Sequence, residues 1–244
     1  MRASSLTDVG QQRELNEDCV FCSTGPVGNL PNLFVLADGM GGHRAGEIAS
    51  GLAIEFFCEA VKADEGYNPI TIMNRAIQAA NNILYEKSQS SDRFRGMGTT
   101  LVACSLSEGT LFVSNVGDSR LYVVGESIRQ ITRDHSLVEE LASEGKIERD
   151  STEYLEQKNI ITRAVGIMPR VMSDFFELDL EAGEQVLLCS DGLSNMVRDE
   201  AIADIVRSTP DTDSAVKSLI EEANRNGGRD NISVILVSPE EDQC

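Results

Sequence analysis

Five stretches of this 244-residue sequence place a carboxylate at the edge of an apolar run. In Phe34-Val35-Leu36-Ala37-Asp38-Gly39-Met40-Gly41-Gly42 the run meets Asp38 and then three glycines. Val186-Leu187-Leu188-Cys189-Ser190-Asp191-Gly192 repeats the design, and 111–116 leads into Gly117-Asp118-Ser119. Gly227-Gly228-Arg229-Asp230-Asn231 reverses it ahead of 232–237, and Asn16-Glu17-Asp18 stands ahead of 19–23. One Asp-Gly at a strand end is weak evidence, because turns favour that pair. Five strand edges meeting at one mouth would crowd like charges that cannot all stay ionised without a cation among them. Arg13, Arg120 and Arg229 are the basic residues close to these stretches. An all-oxygen donor set suits Mg²⁺ or Mn²⁺ and not zinc. The glycine after Asp38 is expected to turn the backbone sharply and clear room for the ion.

The elements that must hold these groups are legible from periodicity. Short β-branched runs predict strands at 19–23, 33–37, 99–106, 111–116, 121–124, 128–131, 186–189 and 232–237. Hairpin turns are expected at Ser107-Glu108-Gly109-Thr110 and Gly125-Glu126-Ser127, so the strands they join run antiparallel. Helical spacing marks 47–62, 70–87, 136–144 with Ser136 as cap, 199–208 and 212–226. Polar segments 88–95 and 146–159 read as surface loops, the second long enough for a functional flap. No linker or internal repeat interrupts the pattern. One domain over 1–244 is expected, α+β in class, with antiparallel sheets packed together and helices outside.

A formal charge of −19 repels phosphate, which argues against nucleic acid as a partner. No apolar run approaches the roughly 20 residues of a membrane helix, and the start carries no apolar secretion signal, so a cytoplasmic protein without a membrane partner is expected. Six cysteines are expected to be reduced and without chemistry. Cys19 and Cys22 form a C-x-x-C, but residues three apart on a strand point to opposite faces.

Together these residues resemble the metal-dependent serine/threonine protein phosphatases of the PPM (PP2C-type) family, bacterial type. The matching stretches are Arg13-Glu14-Leu15-Asn16-Glu17-Asp18, Ala37-Asp38-Gly39-Met40-Gly41-Gly42, Gly96-Met97-Gly98-Thr99-Thr100 and Asn115-Val116-Gly117-Asp118-Ser119-Arg120. They continue with Ile161-Thr162-Arg163-Ala164-Val165-Gly166, Ser190-Asp191-Gly192 and Gly228-Arg229-Asp230-Asn231, in an order covering nearly the whole chain. The resemblance implies an α-β-β-α sandwich of two antiparallel sheets flanked by helices, with two divalent metals, Mn²⁺ or Mg²⁺, between the sheets. It implies that Asp38, Asp191 and Asp230 hold one metal, while Glu17, Asp38 and the Gly39 carbonyl hold the other. Asp118 and Asp191 match a third, weaker metal site. Asp18 matches a carboxylate that orients a metal-bound water, and Arg13 matches the arginine that grips the substrate phosphate. The implied reaction is hydrolysis of phosphoserine and phosphothreonine by a water or hydroxide bridging the two metals. The implied partners are phosphoproteins, with a cognate kinase as a further one, and nothing in the sequence demands more than a monomer.

Met40 stands where some members carry a histidine that protonates the leaving group. The general acid is therefore open between His43, three residues on, and a metal-bound water; for His43 a solvent-facing position is the favoured expectation. His135 is expected to be structural, in a helix-entry turn, and segment 144–159 corresponds to the variable flap. Two other functions stay in play: a dinuclear hydrolase of small phosphoesters, and a phosphoprotein-binding pseudophosphatase. The latter predicts eroded metal carboxylates, whereas Glu17, Asp38, Asp191 and Asp230 are all present.

Overall fold

Alternation along the strands decides how the layers form. The computed structural model describes residues 1–41, 45–149, 151, 152, 157 and 159–239. Among these, one antiparallel sheet runs in the order β1 (Arg2–Asp8), β11 (Ile232–Ser238), β10 (Gln185–Cys189), β7 (Arg120–Val124), β8 (Ile128–Gln130). The other runs β2 (Asp18–Ser23), β3 (Leu33–Met40), β5 (Leu101–Ser107), β6 (Thr110–Val116), β9 (Asp174–Asp179), with the short β4 (Gly98–Thr99) paired to the end of β3. Helices α1 (Ala45–Ala63) and α2 (Pro69–Ser90) lie against the second sheet; α3 (Leu137–Ser143) is short. Helices α4 (Asp191–Ser194), α5 (Asp199–Ser208) and α6 (Thr212–Arg225) lie against the first.

Successive side chains on a strand point to opposite faces, so each central strand feeds two cores. On β3, Leu33, Val35 and Ala37 pack towards α1 and α2 with Phe57, Ile77 and Leu84. Phe34 and Leu36 point the other way and meet Val186, Leu188, Ile235 and Val237 between the sheets. Burying each of these large side chains stabilises the fold by roughly 1.5–3 kcal/mol. The same parity carries further along the strands. Asp38 continues the row of Phe34 and Leu36, Asp18 the row of Cys22 and Val20, Ser190 that of Val186 and Leu188, and Ser233 that of Val237 and Ile235. Asp18 and Asp38 are direct cross-strand partners. The apolar layer between the sheets therefore ends in acids and hydroxyls.

Local signals behave as expected at several termini. Asn68 caps α2 by accepting the Thr71 N–H, with Pro69 at the first helical position, and Ser136 caps α3 through Glu139. Glu108 and Gly109 adopt φ of 51° and 85°, the doubly left-handed turn that joins β5 tightly to β6. Cys19 packs on the helix side and Cys22 between the sheets, so the C-x-x-C thiols do part company.

Three expectations change. Strands β1 and β9 form where periodicity predicts none. β1 reads RASSLTD, with one large apolar residue, and owes its place to a seven-residue pairing with β11. Asp38 does not end a strand: β3 runs on through Gly39 and Met40, which pair with Thr99 and Gly98. Gly39 is thus not a turn residue. It is required because a Cβ there would lie 2.1 Å from the Gly46 carbonyl oxygen and 2.6 Å from that of Glu17. Asp191, finally, opens the short helix α4.

Candidate active site

Glu17, just ahead of β2, and Asp18 and Asp38 on the second sheet are held by hydrogen bonds from their neighbours. Asp38 donates its N–H to Thr100 Oγ1 at 2.9 Å, and its carbonyl accepts from Thr99 Oγ1 at 2.8 Å and from Thr100 N at 2.9 Å. Glu17 is fixed from both sides: its N–H donates to Asn231 Oδ1 at 2.8 Å, and its carbonyl accepts from Ser50 Oγ and Gly39 N. The Glu17 carboxylate faces the backbone N–H groups of Gly46 and Glu47 in the first turn of α1, where partial positive charge favours an anion. Gly46 has no alternative, since a Cβ would lie 2.5 Å from Glu17 Oε1. Asp18 accepts from Ser190 Oγ at 2.8 Å on Oδ2.

Asp118, Asp191 and Asp230 come from the loops and the helix start facing these strands. Gly117, at φ 107°, brings the chain to within contact of Thr100, whose hydroxyl is bonded to Ser119 Oγ at 2.7 Å; the turn sets Asp118 between them. Asp191 Oδ2 accepts from Asn195 Nδ2 at 3.0 Å. Asp230 is bound by Arg13, Nη2 to Oδ2 at 2.8 Å. Glu17, Asp38, Asp118, Asp191 and Asp230 line a single pocket of about 260 Å³ with Arg13, the Gly39 backbone and Met40. Asp18 sits under it, beside Asp38.

The electrostatics of this pocket are those of unneutralised anions. Burial and then the charges of Asp18, Asp191, Asp118 and Asp230 push the Asp38 carboxyl well above the usual range. Burial raises Asp18 to about 7, opposed by hydrogen bonds from Ser233 and Ser190 and reinforced by Asp191 and Asp230. Asp118 rises to about 8, through burial and then Asp191 and Asp134. Glu17 is also raised by burial, against the pull of Arg13. Asp18 Oδ1 is buried with no hydrogen-bond partner. Hard oxygen donors, mutual repulsion and a buried orphan acceptor all fit a divalent cation. Among the described residues no three acidic, histidine or cysteine side chains already form a closed ligand set. Ser190, Asn195 and Arg13 each hold one of the acids Asp18, Asp191 and Asp230.

Asn231, Ser190, Ser233 and Thr100 had no role in the sequence reading. Asn231 is the tie between the two halves of the pocket: besides Glu17, it donates from Nδ2 to the carbonyls of Val9 and Leu15 at 3.0 and 2.8 Å. Strand parity was the available signal for the two serines, since each continues an apolar row. His135 is structural, as expected. It is buried, its Nδ1 accepts the Gly117 N–H at 3.0 Å, and Nε2 faces Asp174 Oδ2 at 3.1 Å. Met40 does line the pocket. His43 lies outside the described residues, as do 150, 153–156 and 158 of the flap segment.

Comparison with known proteins gives the family. The family model described as "Protein phosphatase 2C" matches residues 11–234. A serine/threonine phosphatase stp of Listeria welshimeri is 38% identical over 244 residues, covering 97% of this chain and 95% of that protein. The solved S. agalactiae serine/threonine phosphatase superposes with a TM-score of 0.91 at 36% identity, over 98% of this chain and 99% of that one. The catalytic domain of the serine threonine protein phosphatase PstP, solved in complex with two manganese ions, gives 0.83 at 34% identity over 96% of each chain. With matches of this extent, and with the sandwich and its acidic mouth both in place, the chain belongs to the protein phosphatase 2C family, among its bacterial members.

Proposed function

We propose that the acidic pocket carries the family's reaction in this chain and that residues 1–244 form one catalytic domain. As a family member the chain is a metal-dependent serine/threonine protein phosphatase using Mn²⁺ or Mg²⁺, with phosphoproteins as its substrates. The observation that carries the assignment of the site is the convergence of Glu17, Asp38, Asp118, Asp191 and Asp230 on one pocket, where burial and then neighbouring carboxylates raise the proton affinity of Asp38.

Asp38, Asp191 and Asp230 would hold one cation, and Glu17, Asp38 and the Gly39 carbonyl a second. Asp118 with Asp191 would hold a third, weaker one. Paired divalent cations lower the pKa of a shared water and neutralise charge on the phosphoryl oxygens. The chain's own residues do the rest. Asp18, held by Ser190 beside Asp38, would accept a hydrogen bond from the attacking water and orient it. Arg13, bonded to Asp230 through Nη2 and half exposed at the pocket wall, would grip the substrate phosphate through its guanidinium. No nucleophilic side chain is required.

The same reading makes the chain a cytoplasmic monomer that opposes a serine/threonine kinase. No described helix is long and apolar enough to cross a membrane. The test is turnover of a phosphothreonine peptide in manganese against turnover of a nucleotide. Peptide hydrolysis that needs the metal and disappears in Asp191→Ala, with the fold retained, is expected. Near-normal turnover in that variant overturns the site, and preference for the nucleotide overturns the substrate class.

A further inference from the structure

A second cavity of about 240 Å³ opens directly beside the metal pocket and shares Arg13, Asn159 and Asp230 with it as walls. Its own lining adds Arg229, Asn195, Met196 and Gly192. In a chain of net charge −19, two guanidiniums in one small cavity stand out chemically. Asp230 is engaged by Arg13, so the cavity retains the charge of Arg229. Arg229 is exposed, and among the described residues it makes no hydrogen bond or ion pair. By contrast, Arg120, Arg129, Arg163 and Arg207 are each paired with a carboxylate.

The scaffold under Arg229 is fixed. Gly228, at φ 47°, is tied by its carbonyl to Gln11 N at 2.7 Å and by its N–H to Ala223 O at 3.0 Å. The facing Asn195 is anchored to Asp191 through both its backbone and its amide. Met196 supplies an apolar wall for a methylene stem. An unpaired guanidinium on a fixed stretch of backbone beside a phosphate-binding pocket is suited to an anionic side chain that arrives on the same substrate.

We propose that Arg229 is a specificity-determining residue: this cavity takes a carboxylate or a second phosphoryl group one or two residues from the phosphorylated serine or threonine. The proposal rests on the phosphatase reading of the neighbouring pocket. Adjacent residues in an extended peptide are about 3.3–3.6 Å apart along the chain, so a flanking side chain stays close to a cavity that shares walls with the first.

The experiment uses phosphothreonine peptides with alanine at every flanking position, and the same peptides with one Asp, Glu or phosphoserine at each of two positions on either side. The manganese-loaded enzyme should turn over one acid-bearing register with kcat/KM about tenfold above the all-alanine peptide. Asp and Glu against phosphoserine identify which anion the cavity takes. Arg229→Ala should erase that preference and Arg229→Glu should turn it towards a lysine-bearing peptide. Both variants should hydrolyse p-nitrophenyl phosphate, which has no flanking residue, within about twofold of the native rate. No acid preference in the native enzyme, or an undiminished one in Arg229→Ala, overturns the proposal. If the native enzyme fails on p-nitrophenyl phosphate and on every peptide, the phosphatase reading itself fails.

Discussion

Two acidic regions of this molecule lie side by side and differ in one respect. In the metal pocket Glu17, Asp38, Asp118, Asp191 and Asp230 face one another with Arg13 as the basic residue among them. Beyond the Asp118 loop, Asp134 receives three hydrogen bonds from Arg120, Asp174 is bound by Arg163 and His135, and Glu139 by Arg133 and Arg149. Burial pushes carboxyls up in both regions. In the second, His135 with Arg163 holds Asp174 below the usual range, and Arg149 with Arg133 does the same for Glu139. In the first, neighbouring acids add to the upward push. The difference teaches that acids closed by arginine hold the fold together, whereas acids left facing one another are held in readiness for something from outside.

The sharpest way to break this comparison is to neutralise one acid in each region. Asp38→Asn should lower phosphopeptide turnover by about 10³-fold or more. In chelator the same variant should melt higher than the native chain, because a repelling buried carboxylate is gone. A lower melting temperature there would mean that Asp38 is a structural acid like Asp134. Arg120→Ala, on the other side, should destabilise by about 3 kcal/mol, since it leaves the Asp134 charge with Gln130 alone and removes one of the two hydrogen bonds of the buried Tyr122 hydroxyl; thermal denaturation should show a fall of about 6–12 °C.

Manganese at a hundred times its dissociation constant should stabilise the native chain by about 2.7 kcal/mol, and chelator should remove the effect. Its pH dependence sharpens the contrast. Asp18 and Asp118 start from 3.8 and rise to about 7 and about 8, so the metal-free fold binds more protons than the unfolded chain between about pH 4 and 8. Metal-free stability should therefore fall as pH rises through that window, and stabilisation by manganese should grow over the same range. Melting curves at several pH values in chelator and in manganese decide it; a flat metal-free series would mean these acids are not strained. Asp174 and Glu139 contribute in the opposite sense, with stability that is lost as pH falls below about 4. The smallest effect is expected for Arg133→Ala, under about 1 kcal/mol in denaturant titration, because Arg133 is half exposed and Arg149 still covers Glu139.

How far these regions could be told apart in the sequence depends on the range of the forces involved. Asp38, Asp118, Asp191 and Asp230 were legible because each flanks or extends an apolar run, and such runs follow from local alternation and turn chemistry. Helices α5 and α6 and the hairpin at Glu108-Gly109 were legible for the same reason. Strand β1 was not, because its sequence is nearly polar and its stability comes from a partner more than two hundred residues away. The role of Asn231 was hidden likewise, as its amide reaches Val9, Leu15 and Glu17 across the fold.

The sequence by itself determined that acids stand beside the apolar runs, that the chain carries excess negative charge, and which family pattern it follows. Only the tertiary structure decided which acids are answered by arginines and which are left to repel. It also decided that Gly39 is needed for a close approach of backbones, and that Arg229 stands unpaired beside the pocket. Periodicity is written in neighbouring residues, whereas charge pairing depends on distances of a few ångströms between segments that meet only when the two sheets pack.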